Sequence, residues 1–180
     1  MLSISAHFSE LLPATLIAVL GLAVWFDVRE QRIPNVVTAG GFLSFLTVRA
    51  MVGPEAFLAG LAGGVAGLVL GIALFAAGAM GAGDGKLLAA VGAALGLEIF
   101  LLCLPLIGAF GGLLALIEAG RRGSLIATLL RFRLLLFYVV TFGRLGARRT
   151  LSMPGAVSVP YGVAVAAGAA TAWLGWGLGL

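Results

Sequence analysis

Residues 56–80 read AFLAGLAGGVAGLVLGIALFAAGAM without one charged side chain, and the next six, Gly81-Ala82-Gly83-Asp84-Gly85-Lys86, set an acid beside a base. About 20 apolar residues at 1.5 Å rise each cross the ~30 Å hydrocarbon layer of a bilayer, so this run spans with tilt. Its glycines recur at helical spacing: Gly60 and Gly64 and, one register over, Gly63, Gly67 and Gly71. Residues without a Cβ let helix backbones approach closely in lipid, so the stripe reads as a packing surface.

The whole chain has the same character. Of its 180 residues 62% are hydrophobic and 10% charged, with a mean hydropathy of +1.18. A soluble domain carries roughly 25% charged residues. The composition therefore predicts an all-α membrane protein: one integral-membrane domain over residues 1–180, a polytopic bundle of about six transmembrane helices.

Working outward from residues 56–80, the spans are Leu11–Phe26, closing at Asp27, then Val36–Val52, with Gly53-Pro54-Glu55 as the turn into Ala56–Met80. Leu87–Ala119 is long for one span and short for two. The favoured division is a short fourth helix to about Leu95, a turn at Gly96-Leu97-Glu98 and a fifth helix over Ile99–Ile117. Leu125–Phe142 is apolar but contains Arg131 and Arg133. Each Arg costs a few kcal/mol at a bilayer centre, which favours an amphipathic segment on the cytoplasmic face over a seventh span. The last helix begins near Tyr161 and ends by Leu180. No Lys or Arg precedes the first apolar run, so it reads as a retained helix rather than a signal peptide.

The net charge of +4 and pI near 10.2 do not indicate nucleic acid, because the basic residues lie between spans, facing headgroups. With the N-terminus outside, one face receives Arg29, Arg32, Lys86, Arg121, Arg122, Arg131, Arg133, Arg144, Arg148 and Arg149, and the other only Arg49. The positive-inside rule makes the first face cytoplasmic. Asp27 and Asp84 then share that face. Cys103 is the single cysteine and His7 the single histidine, so no zinc-type ligand cluster is expected, and no metal or cofactor.

Ionisable groups at a membrane boundary are functional candidates. Glu10, Glu55, Glu98 and Glu118 fall at span ends where water solvates them, and Glu30 lies within a polar loop. Asp27 and Asp84 directly abut apolar helices. Glycines around Asp84 leave room for an extended substrate beside the carboxylate. Alone, Asp84 reads equally well as the N-cap of the fourth helix, and Asp27 as an acid of an ordinary loop with a Pro turn.

Together these loops resemble the type IV prepilin peptidases, membrane aspartyl proteases of the Gly-x-Gly-Asp type. The residues that carry the resemblance are Asp27 followed by Arg32-Ile33-Pro34-Asn35, then Gly81-Ala82-Gly83-Asp84-Gly85-Lys86-Leu87, and more weakly Val159-Pro160-Tyr161-Gly162. The resemblance implies Asp27 and Asp84 as the catalytic pair. It gives motif or positioning roles to Ile33, Pro34, Asn35, Gly81, Gly83, Lys86, Pro160, Tyr161 and Gly162. It implies as substrates prepilins or pseudopilins with a basic leader and an apolar helix, cut at the cytoplasmic face of the bacterial inner membrane. The paired Cys-x-x-Cys motifs of larger members are not in this sequence, which resembles the short, peptidase-only form of tight-adherence (Flp-type) pili, with no N-terminal methyltransferase domain expected.

Two close carboxyls share one proton, one acting as base and the other as acid. With Asp27 at a helix C-terminus and Asp84 at a helix N-terminus, the dipoles predict Asp84 as the ionised base. A proteolytically inactive assembly factor and a small proton-coupled transporter are the alternatives. Transporter acids sit near the midplane on broken helices, whereas these lie at one boundary.

Overall fold

A computed structural model describes residues 2–121 and 160–177, together with Leu130 and Arg133. The described residues form six helices and no strand: α1 (Leu2–Glu30), α2 (Asn35–Val52), α3 (Pro54–Ala76), α4 (Ala82–Leu95), α5 (Leu97–Arg121) and α6 (Tyr161–Gly177). Four stretches are long and apolar enough to cross a bilayer: Leu11–Glu30, Asn35–Val52, Pro54–Ala76 and Leu97–Arg121. Tyr161–Gly175 is a shorter apolar helix. Exposed Ile17, Val36, Leu43, Leu68, Val69 and Leu102 give the bundle an apolar exterior, as a lipid-solvated fold requires. The expected amphipathic segment, Leu125–Phe142, lies outside the described residues apart from Leu130 and Arg133.

The ambiguous stretch resolves into two helices, broken at Gly96 with φ +77°. Several helix ends differ from the sequence reading. The third helix stops at Ala76 rather than Met80 because Gly78, at φ +71°, closes it in a Schellman turn. There Gly78 N–H donates to the Phe75 carbonyl and Ala79 N–H to that of Leu74, each at 2.9 Å. The first helix runs one turn past Asp27, and Gln31, at φ +49°, ends it. The fourth begins at Ala82, so Gly83, Asp84 and Gly85 are helical rather than a loop. The first helical hydrogen bond runs from the Gly85 N–H to the Gly81 carbonyl at 3.1 Å and so encloses Asp84.

α4 is the centre of the bundle. Every residue from Leu87 to Leu95 is buried, although 14 residues at 1.5 Å rise span only about 21 Å. Its most extensive packing is against α3, through the glycine stripe. A Cβ on Gly63 would fall on the Gly92 carbonyl, and one on Gly71 would lie 2.7 Å from the Gly85 Cα. The stripe thus brings the α3 and α4 backbones together, as lipid packing favours. α2 and α4 run side by side in the same direction. Lys86 Nζ donates to Asn35 Oδ1 at 2.7 Å where both helices start. At the far end, Arg49 donates to the Ala94 carbonyl through Nη2 at 2.8 Å and Nε at 3.3 Å, and to the Ala56 carbonyl through Nη1 at 3.1 Å.

Candidate active site

Three helix ends meet at the end of the bundle marked by Lys86 and Asn35. α1 brings Asp27 in its last turn, α4 brings Asp84 in its first, and α6 begins there with Tyr161-Gly162-Val163. Asp27 and Thr38 are the buried polar side chains among the described residues, Asp27 at 6% exposure. Asp84 is half-buried. The two carboxyls lie within electrostatic reach of one another, and Asp84 also interacts with Tyr161.

The buried Asp27 carboxyl is hydrogen-bonded. Its Oδ2 accepts the Gly162 N–H at 2.6 Å, and the Val163 N–H also reaches the carboxyl. The first turn of a helix has N–H groups without intrahelical acceptors, and Asp27 fills that need for α6. Residue 162 must be small: an added Cβ would stand 2.7 Å from Oδ2 and 3.1 Å from Cγ. Asp84 has its own backbone donor, the N–H of Gly81, at the start of α4.

The dipole argument from sequence therefore loses its asymmetry. Asp27 does sit near the C-terminal end of α1, but its carboxyl lies at the N-terminal end of α6. Both acids face positive helix ends. Lys86 makes its hydrogen bond to Asn35 rather than to Asp84.

The remaining motif residues serve this convergence. Ile33 is buried, and a Cβ on Gly83 would contact Ile33 at 3.4 Å, so the turn after α1 packs on the first turn of α4. Pro34 caps α2, its carbonyl accepting from Val37 at 3.0 Å. Gly81 caps α4 in extended conformation, and the Pro160 carbonyl accepts from Val163 at 3.2 Å. Tyr161 packs over Gly111 of α5, where a Cβ would stand 3.1 Å from its ring. Val163 is not marked by the sequence motifs. Its contribution is a backbone N–H, which no side-chain motif announces.

An apolar groove of about 300 Å³ lies among α2, α3 and α4, lined by Thr38, Ala39, Phe42, Leu43, Leu68, Ala89 and, as its one charged residue, Lys86. Among the described residues, no three His, Cys, Asp or Glu side chains converge as a metal site.

The fold and site define an all-α, multi-pass membrane protein with two interacting carboxyls at one end of its bundle. A model of the type IV leader peptidase family matches residues 14–117, more than half of the 180-residue chain, and the protein belongs to that family. Membership marks it as a peptidase, a hydrolase of the leader-peptidase type. The match takes in Asp27 and Asp84 and ends before Pro160-Tyr161-Gly162. No curated protein and no solved structure matches the chain.

Proposed function

We propose that the protein is an aspartic endopeptidase in which Asp27 and Asp84 together hydrolyse the leader peptide bond of type IV prepilins or pseudopilins of the Flp type. The observation that carries the reading is the approach of two carboxyls, from helices far apart in sequence, at a site walled by a third helix. Two like charges in so low a dielectric resist joint ionisation, so between its two ionisations the pair holds one proton between a base and an acid. That is what peptide hydrolysis by a water molecule requires.

In the first step the carboxylate takes a proton from water as the water oxygen bonds to the scissile carbonyl carbon. The carboxylic acid gives its proton to the carbonyl oxygen, and a neutral gem-diol results. In the second step the C–N bond breaks as the amine nitrogen receives the proton from the first carboxyl. A diol hydroxyl returns its proton to the second, and the pair is restored with one proton.

Cleavage at the cytoplasmic face is supported by charge. Of the basic residues on α1–α5 and the turns between them, Arg29, Arg32, Lys86 and Arg121 belong to the end that carries the aspartates, and Arg49 to the opposite end. The positive-inside rule then sets the N-terminus outside and the aspartates toward the cytoplasm of the bacterial inner membrane. An apolar substrate helix would remain in the bilayer with its basic leader at that face.

The test is to co-express Flp-type prepilins with the wild-type protein, Asp27→Asn and Asp84→Asn, and to follow the leader by electrophoretic shift. The wild type removes the leader and both variants leave it on. Processing that survives either substitution defeats the dyad. A prepilin left whole by the purified wild-type protein favours an assembly role.

A further inference from the structure

The three meeting helix ends bear on how the two aspartates divide the work. Asp27 is buried, yet its Oδ2 accepts the Gly162 N–H at 2.6 Å at the start of the 17-residue helix α6, and the Val163 N–H, which donates to the Pro160 carbonyl, is also turned toward the carboxyl. Asp84 is half-buried and has the single N–H of Gly81, the cap of its own helix. Backbone N–H groups fixed on an oxygen favour a carboxylate over a carboxylic acid, most strongly where water is excluded. We infer that the first turn of α6 holds Asp27 as the ionised, water-activating carboxylate and leaves the shared proton on Asp84, with Gly162 as the positioning residue. This rests on the aspartic-dyad reading and reverses the roles that the helix dipoles of α1 and α4 alone suggest.

The surrounding groups do not supply a competing charge. From α4 the ionisable group facing Asp27 is Asp84, and from α6 it is Tyr161, which interacts with Asp84. The charged residue of α2, Arg49, is bound to the Ala94 and Ala56 carbonyls at the opposite end. On α1 itself Arg29 stacks on the Trp25 ring at 4.0 Å, and Lys86 donates to Asn35. In the catalytic cycle Asp27 accordingly accepts the proton of the attacking water and later passes it to the leaving amine. Asp84 lends its proton to the carbonyl oxygen and recovers it from the diol.

Asp27 and Asp84 are the only aspartates in the sequence, so carbon-13 aspartate labels these two carboxyls alone. The full-length protein in lipid nanodiscs would be titrated by infrared and NMR spectroscopy, with each signal assigned from Asp27→Asn and Asp84→Asn. At the pH where one proton remains on the pair, Asp27 should give the carboxylate signal and Asp84 the carboxylic-acid signal. Gly162→Ala, whose Cβ displaces the carboxyl from its donors, should raise the pH of the first ionisation by about one unit. Gly112→Ala, where a Cβ meets nothing within 4 Å, should leave it in place. The opposite assignment in the wild-type protein, or a first ionisation unmoved in a folded Gly162→Ala protein, overturns the inference. The assignment in the wild-type protein decides the matter if Gly162→Ala does not fold. Cleavage of prepilin by either Asp→Asn protein defeats the dyad itself, an outcome separate from a reversed titration order.

Discussion

Lys86 Nζ donates to Asn35 Oδ1 at 2.7 Å, joining the helix that carries Asp84 to the turn that follows Asp27. The two residues are 51 positions apart, and each belongs to a different motif. The bond gives a physical reason for the lysine two residues after Asp84: it fixes the first turn of α4 against the start of α2. Ile33, packed on Gly83, adds an apolar contact across the same junction.

That relationship predicts a coupled pair. Lys86→Met and Asn35→Ala should each slow prepilin cleavage by about 3- to 10-fold, the loss expected of one hydrogen bond of about 0.5–1.5 kcal/mol. The double variant should be little slower than either single one, because both substitutions break the same contact. Rates measured for the four proteins form the cycle. Fully additive losses would mean that Lys86 and Asn35 act independently.

The pH dependence of cleavage follows from the pair of carboxyls. At low pH both are protonated and no base activates water, so the rate rises as the first proton leaves. At high pH both are ionised and no acid protonates the carbonyl oxygen, so the rate falls as the second proton leaves. A bell-shaped profile of kcat is expected, whose two limbs belong to the pair rather than to one residue. A profile with a single limb across the range where the protein stays folded would argue for one working carboxyl.

Much of this architecture is legible in the sequence because charge is so scarce. Spans fall where charges do not, placing the loops on two faces puts Asp27 and Asp84 on the same one, and the surrounding motifs make them a pair. Helix ends are less legible. Gly81-Ala82-Gly83-Asp84-Gly85 has the composition of a loop, yet it is helical from Ala82, with the Gly85 N–H donating to the Gly81 carbonyl at 3.1 Å. The capping of α6 by Asp27 joins residues 135 positions apart through a main-chain donor, and neither spacing nor residue type encodes such a bond. The dipole argument is incomplete for the same reason: it counts the helix that Asp27 belongs to and not the helix that its carboxyl caps.

Arg49 is an anchor remote from the aspartates. Its guanidinium gives three hydrogen bonds to the carbonyls of Ala94 and Ala56 and so ties the far ends of α2 and α4 to the start of α3. Arg49→Met keeps the apolar stem but removes the donors, at a cost of about 2–3 kcal/mol for hydrogen bonds from a charged group. Unfolding in mild detergent micelles should register that loss, while the aspartate titration of the folded fraction stays as in the wild type. A shifted titration would mean that the far end of α4 also sets the geometry of Asp84.

The glycine stripe predicts the largest effect on stability. A Cβ on Gly67 would stand 2.7 Å from the Leu88 carbonyl carbon and 2.9 Å from the Ala89 Cα, with no flexible side chain to move aside. Gly67→Leu therefore has to push α3 away from α4, and overpacking of this kind costs about 1–3 kcal/mol or more. Because α4 carries Asp84 in its first turn, displacement should also remove cleavage, whereas Gly40→Ala, facing open space, should change neither property. Thermal unfolding in nanodiscs and prepilin processing measured on the same proteins test both consequences. A Gly67→Leu protein as stable and as active as the wild type would show that the close approach of α3 and α4 is not what holds Asp84 in place.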